Sequence, residues 1–103
     1  MSAYIFASVE ITDPAAYEEY RRRVPAIIAA YGGRYLARGG AVERLEGNAP
    51  VNRLVIVEFT DMVRLKAFYN SAEYQPLLAI RQRAARSNLL AIEGVRAPPR
   101  EDL

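Results

Sequence analysis

From Ala3 to Ile11 both alternating faces of the chain are apolar, with Ile5, Ala7, Val9 and Ile11 on one side and Tyr4 and Phe6 on the other. That pattern predicts a strand covered on both faces. Thr12-Asp13-Pro14 follows as a cap with proline at the first helical position. The predicted helix runs to about Tyr31, because Tyr17, Tyr20, Val24, Ile27, Ile28 and Tyr31 recur at three- and four-residue spacing. Glu18 and Glu19 precede Arg22 and Arg23 by four residues on its wet side. Pro25 predicts a kink, since its ring removes a hydrogen bond, and Gly32-Gly33 predicts the stop.

Residues Arg34 to Glu46 read as a strand interrupted at Gly39-Gly40. Gly47-Asn48-Ala49-Pro50 reads as a turn into Arg53 to Phe59, the clearest strand in the chain. Asp61 then caps a helical stretch carrying Met62, Leu65, Phe68 and Tyr69. Ser71 restarts helix to about Ala85, with Tyr74, Leu77, Leu78 and Arg81 inward, and Pro76 favours two helical pieces over one. Asn88 to Val95 reads as the last strand. Residues 96–103 contain two prolines and no apolar pattern, and are predicted to be a tail beyond a single domain of residues 1–95.

The order strand, helix, strand, strand, helix, strand predicts an α+β domain of the ferredoxin-like type: four antiparallel strands with the helices on one face. The other face is predicted to carry Tyr4, Phe6, Leu54, Ile56, Leu89 and Ala91. An open patch of that kind exceeds what soluble monomers usually leave wet, so a homodimer through the sheet face is expected.

Composition narrows the chemistry. The chain has 103 residues, 14 basic and 12 acidic side chains and a net charge of +2. Acids are interspersed with the basic residues, which argues against a nucleic-acid partner. Arg21-Arg22-Arg23 fans around the helix and reads as a solvated face. There is no cysteine and no histidine, which removes thiolate nucleophiles, the commonest general base and most transition-metal sites. No metal or cofactor is implied. The first residues lack a basic and apolar leader, and no stretch approaches a membrane span, so no membrane partner and a cytoplasmic location are expected.

The segments Gly32-Gly33-Arg34-Tyr35-Leu36-Ala37-Arg38-Gly39-Gly40, Leu45-Glu46-Gly47, Arg53 to Phe59 and Ser71-Ala72-Glu73-Tyr74-Gln75 together resemble the bacterial domain of unknown function family 1330, over residues 3–95. The resemblance implies the dimeric α/β-barrel superfamily, with a ligand cleft between sheet and helices in each subunit. It implies no particular reaction. Other branches of that superfamily include cofactor-free oxygenases, isomerases, dehydratases and haem enzymes, and the missing histidine argues against the branches that rely on it.

Glu58 is the candidate proton shuttle, because a carboxylate near the end of an apolar strand would be pushed up in pKa if covered. The competing account is a structural bridge to an arginine. Arg38 and Arg53 present planar forks to a carboxylate or phosphate, or else pair with Glu46 and Glu58 around a bulge at Gly39-Gly40. Tyr17, Tyr20, Tyr69 and Tyr74, with Gln75, lie on inner helix sides, where hydroxyls must find partners in a core or line a polar crevice. Arg81 points either into that crevice or to solvent. The expected function is binding or transformation of a small anionic or carbonyl-bearing metabolite. A non-catalytic dimerisation or sensor module is the alternative, and a cofactor-free monooxygenase or isomerase follows from the superfamily alone.

Overall fold

A computed structural model describes residues 1–95, and the expected tail lies outside them. The elements are β1 (Ala3–Ile11), α1 (Pro14–Ala30), β2 (Arg34–Arg38), β3 (Arg53–Phe59), α2 (Met62–Tyr69), α3 (Gln75–Ala84) and β4 (Ala85–Glu93). The four strands form one sheet in the order β2-β3-β1-β4, with every neighbouring pair antiparallel. This is the ferredoxin-like arrangement, its second helical arm in two pieces.

Alternation along β1 sorts the sheet into two faces. Ala3, Ile5, Ala7 and Val9 are buried, and Val57 and Phe59 of β3 join them under Tyr17, Val24 and Ile28 of α1 and Leu77 of α3. This inner face is the core. Local signals place the helices on it. The Asp13 side chain accepts from the Ala16 amide at 3.2 Å, and Asp61 accepts from the Arg64 amide at 2.8 Å, capping α1 and α2. Gly33 ends the α1 turn where a Cβ would stand 2.7 Å from both Ile28 and Phe59, so only glycine fits. At the joint between α2 and α3, Ser71 Oγ donates to the Phe68 carbonyl and accepts from the Tyr74 amide.

Three expectations about the strands are corrected. β2 ends at Arg38, and the residues from Gly39 to Val51 are exposed without regular structure. The bulge lies between Tyr35 and Ala37 instead of at Gly39-Gly40. β4 begins at Ala85, locked by Thr12 and Asp13 amides that both donate to the Ala84 carbonyl.

A further correction changes a face. Leu89 pairs with Ala7 and Ala91 with Ile5, so both align with inner-face residues, whereas Leu90 pairs with Phe6 and Ile92 with Tyr4 on the open face. In an all-apolar run such as Leu89-Leu90-Ala91-Ile92 the parity is invisible until pairing fixes it. The open apolar set is therefore Tyr4, Phe6, Leu54, Ile56, Leu90 and Ile92, with Leu90 67% and Ile92 60% exposed. On the α1 surface Glu18 pairs with Arg21 instead of Arg22, while Glu19 takes Arg23 as expected.

Candidate functional site

Between the inner sheet face and helices α1 and α3 lies a small cavity of about 50 Å3. Its walls are largely aliphatic, from Ile5, Val9, Val24 and Val57, with the Phe68 ring beside them. Its polar groups are tyrosines and arginines. Of the expected site residues, Tyr17, Tyr20, Arg38, Arg53, Tyr74 and Arg81 all line it.

The bulge puts Arg38 there. Regular alternation would place it on the same face as Arg34, but the extra residue sets it opposite Val55, an inner-face position. Its guanidinium carbon stands 4.6 Å from the Tyr35 ring centroid, and Nη2 donates to the Arg21 carbonyl at 2.7 Å. Arg53 enters from the first position of β3, opposite Val9. Its guanidinium occupies the space that a Cβ on Gly39 would fill, and Gly39 has φ +66°. The positive φ calls for glycine at 39, and a side chain there would also push the Arg53 guanidinium aside. Neither arginine has an ion-pair partner among the described residues, which replaces the expected pairing with Glu46 and Glu58.

At the helical side, Arg81 is only 5% exposed, and its orientation is settled inward. The Nε atoms of Arg81 and Arg53 are buried without a hydrogen-bond partner among the described residues. The Tyr20 and Tyr74 hydroxyls lie 2.8 Å apart, and the Arg81 guanidinium carbon is 5.9 Å from the Tyr20 ring centroid. Burial, reinforced by Tyr74, pushes the Tyr20 hydroxyl far above the ordinary phenol range, so it stays protonated. Burial also raises Tyr35. For Arg81, burial opposes the charge, but Tyr74 and Tyr20 outweigh it and the pKa rises.

Two expected members stand elsewhere. Tyr69 packs on Tyr74 with ring centroids 5.7 Å apart and lines a separate groove of about 270 Å3 with Leu65, Lys66, Asn70 and Leu89. Gln75 donates to the carbonyls of Tyr69 and Ser71 and so fixes the α2–α3 joint.

Glu58 belongs to the opposite face. It pairs with Tyr4 on β1 and Arg34 on β2, and accepts from Arg34 Nε at 2.7 Å and from the Tyr4 hydroxyl at 3.3 Å. The Arg34 hydrogen bond, followed by one from Ser2, holds its pKa below the ordinary value. The expected place in the cleft and the expected upward shift are both corrected, because a carboxylate met by a guanidinium is held ionised. Among the described residues no three acids come together in a way that could hold a metal ion.

Two cavity residues escaped sequence reasoning. Tyr35 is half-buried opposite Val57, a parity that β3 made readable. Arg21 lines the mouth, although its charge is engaged by Glu18 at 2.8 Å. Its spacing of four from Tyr17 was the available signal.

The sequence model of the domain of unknown function DUF1330 matches residues 2–95. The chain belongs to this family. No curated protein matches it. Among solved structures it is similar to a protein of unknown function from Rhodopseudomonas palustris, at TM-score 0.75 and 18% identity over 93% of this chain and 84% of that one. A dimeric ferredoxin-like protein of unknown function from Jannaschia sp. CCS1 aligns at TM-score 0.63 and 15% identity, over 91% of this chain and 100% of that one. SnoaB, a cofactor-independent oxygenase from Streptomyces nogalater, aligns at TM-score 0.64 and 14% identity, over 95% and 97%. At these identities the likeness establishes the ferredoxin-like fold of this DUF1330 chain. Among the described residues no helix is long and apolar enough to cross a membrane.

Proposed function

We propose that this DUF1330 chain is a cytoplasmic small-molecule domain, in which two copies pair through their open sheet faces and each binds an anionic or carbonyl-bearing metabolite in its inner cleft. The observation that carries the reading is the set Arg38, Arg53 and Arg81 around a cavity that no carboxylate lines among the described residues. A buried guanidinium nitrogen without a partner costs free energy that a bound oxygen anion would recover. The aliphatic walls supply contact area, and the tyrosine hydroxyls supply orientation. Pairing of sheets is supported by the exposed Phe6, Leu90 and Ile92 on one face and by the dimeric Jannaschia relative.

The test is thermal melting against a panel of small carboxylates and carbonyl compounds, with native mass spectrometry of the protein as purified. A ligand at about a hundred times its Kd stabilises the native state by about 2.7 kcal/mol, enough to raise Tm by roughly 10 °C or more in a domain of this size. Arg81→Met should abolish that rise. A panel with no shift and a purified protein without bound mass would refute the reading.

A further inference from the structure

Among the described residues, the polar side chains that line the cleft give hydrogen bonds or share them, and none takes up a proton at neutral pH. From this, and resting on the ligand-binding reading above, we infer that the cleft holds its ligand as the conjugate base of a weakly acidic phenol or enol, and stabilises that anion without supplying the base that forms it.

The inventory of proton acceptors is short. The chain has no histidine or cysteine. Glu58 is on the other sheet face and is already bound by Arg34 and Tyr4. Glu18 stands outside the cavity lining, held by Arg21. The groups that face the Tyr20–Tyr74 pair are Tyr17 from α1, Tyr35 and Arg38 from β2, Arg53 from β3, Tyr69 from α2 and Arg81 from α3. All are neutral phenols or permanent cations near neutral pH. None is a usable general base.

The donors, in contrast, converge. In the Tyr20–Tyr74 pair one hydroxyl donates to the other, and the accepting hydroxyl keeps its own hydrogen for a ligand. Arg81 lines the same cavity, with its guanidinium carbon 5.9 Å from the Tyr20 ring centroid. A ligand oxygen seated there gains from these donors in proportion to its negative charge, so its ionised form is favoured. The walls then choose the kind of anion. A carboxylate concentrates its charge on two strongly hydrated oxygens, and stripping that water beside Ile5, Val24 and Val57 is costly. A phenolate or conjugated enolate spreads charge into a carbon framework, which those aliphatic walls and the Phe68 ring can cover. The proton given up on binding goes to solvent.

The probe is para-nitrophenol, whose phenolate absorbs visible light and whose phenol does not. Spectra of the probe with and without the wild-type protein, taken on both sides of the probe's own pKa, should show the bound probe titrating at least about one pH unit lower. That shift corresponds to phenolate binding about tenfold tighter than phenol. At a pH between the bound and the free pKa, a one-unit shift should release roughly half a proton per site into weakly buffered solution, and a larger shift more. Arg81→Met should erase the shift, and Arg53→Met serves as a second variant should the first not fold by circular dichroism. An unchanged or raised probe pKa, or a proton retained by the protein, would overturn the inference. Benzoate separates the two levels of the argument. If benzoate binds in the cleft while the nitrophenol pKa does not fall, the metabolite reading stands and the phenolate inference fails. If neither probe binds, both fall.

Discussion

The open face of the sheet holds the carboxylate of Glu58, met by Arg34 and Tyr4, while the inner face and the helix above it hold Arg38, Arg53 and Arg81 around a cavity that no carboxylate lines. Apart from Arg81 on α3, both sets of side chains come from the same few strands and differ in the side on which they emerge. A single strand, β2, gives Arg34 to one face and Arg38 to the other. The paired charge behaves as structure, since its partners hold it ionised and occupy its hydrogen bonds. The charges without an ion pair behave as a site, since the Nε atoms of Arg53 and Arg81 stay buried and unsatisfied among the described residues. Charge alone does not separate function from scaffold here; the state of its pairing does.

The contrast can be broken most strongly on the apolar part of the open face. Phe6→Asp combined with Ile56→Asp places two like charges directly across β1 and β3. Sedimentation or size-exclusion chromatography should show the mass halved from dimer to monomer. A persistent dimer would mean that the copies meet elsewhere. The inner face should respond differently. Phe59→Ala removes a ring that is 0% exposed in the core, and urea unfolding should report a loss of about 3–5 kcal/mol. Ile56→Ala, on the same strand but facing outward, should mainly weaken association. Equal losses of monomer stability would remove the distinction between the faces.

The smallest effect concerns the ion pair itself. Because the folded pKa of Glu58 lies below its ordinary value of 4.5, its stabilisation is present above that value and fades as pH falls through the folded pKa. Arg34→Ala should therefore lower Tm slightly near neutral pH, and the gap to wild type should close in strongly acidic buffer. A gap that persists there would mean that Arg34 acts through packing instead of charge.

Much of this division was readable from residue order. The apolar periodicity of 17, 20, 24 and 28 placed α1, and the doubly apolar run 3–11 identified a strand covered on both sides. Tyr17, Tyr20 and Tyr74 were legible as inward residues because helix spacing holds over several turns, whereas the direction of Arg81 was open until the structure turned it inward. The strands were harder. A one-residue bulge at Tyr35–Ala37 reverses the face of everything after it, and nothing in the local composition announces it. In β4, four consecutive apolar residues hid which of them faced the core. Glu58 shares the parity of Leu54 and Ile56, so its face was readable; hidden were its partners Tyr4 and Arg34, which approach through pairing between distant segments. Sequence reported the chemistry of each side chain well and its side of the sheet poorly.

The exposed stretch from Gly39 to Val51 has a consequence for how the chain can be divided. It separates a fragment carrying β1, α1 and β2 from one carrying β3, α2, α3 and β4, yet the sheet order interleaves them: β1 sits between β3 and β4, and β3 between β2 and β1. Neither fragment owns a contiguous half of the sheet. A single cut at the exposed Arg44 would therefore leave two pieces that hold each other in place, a natural split protein whose reassembly depends on both.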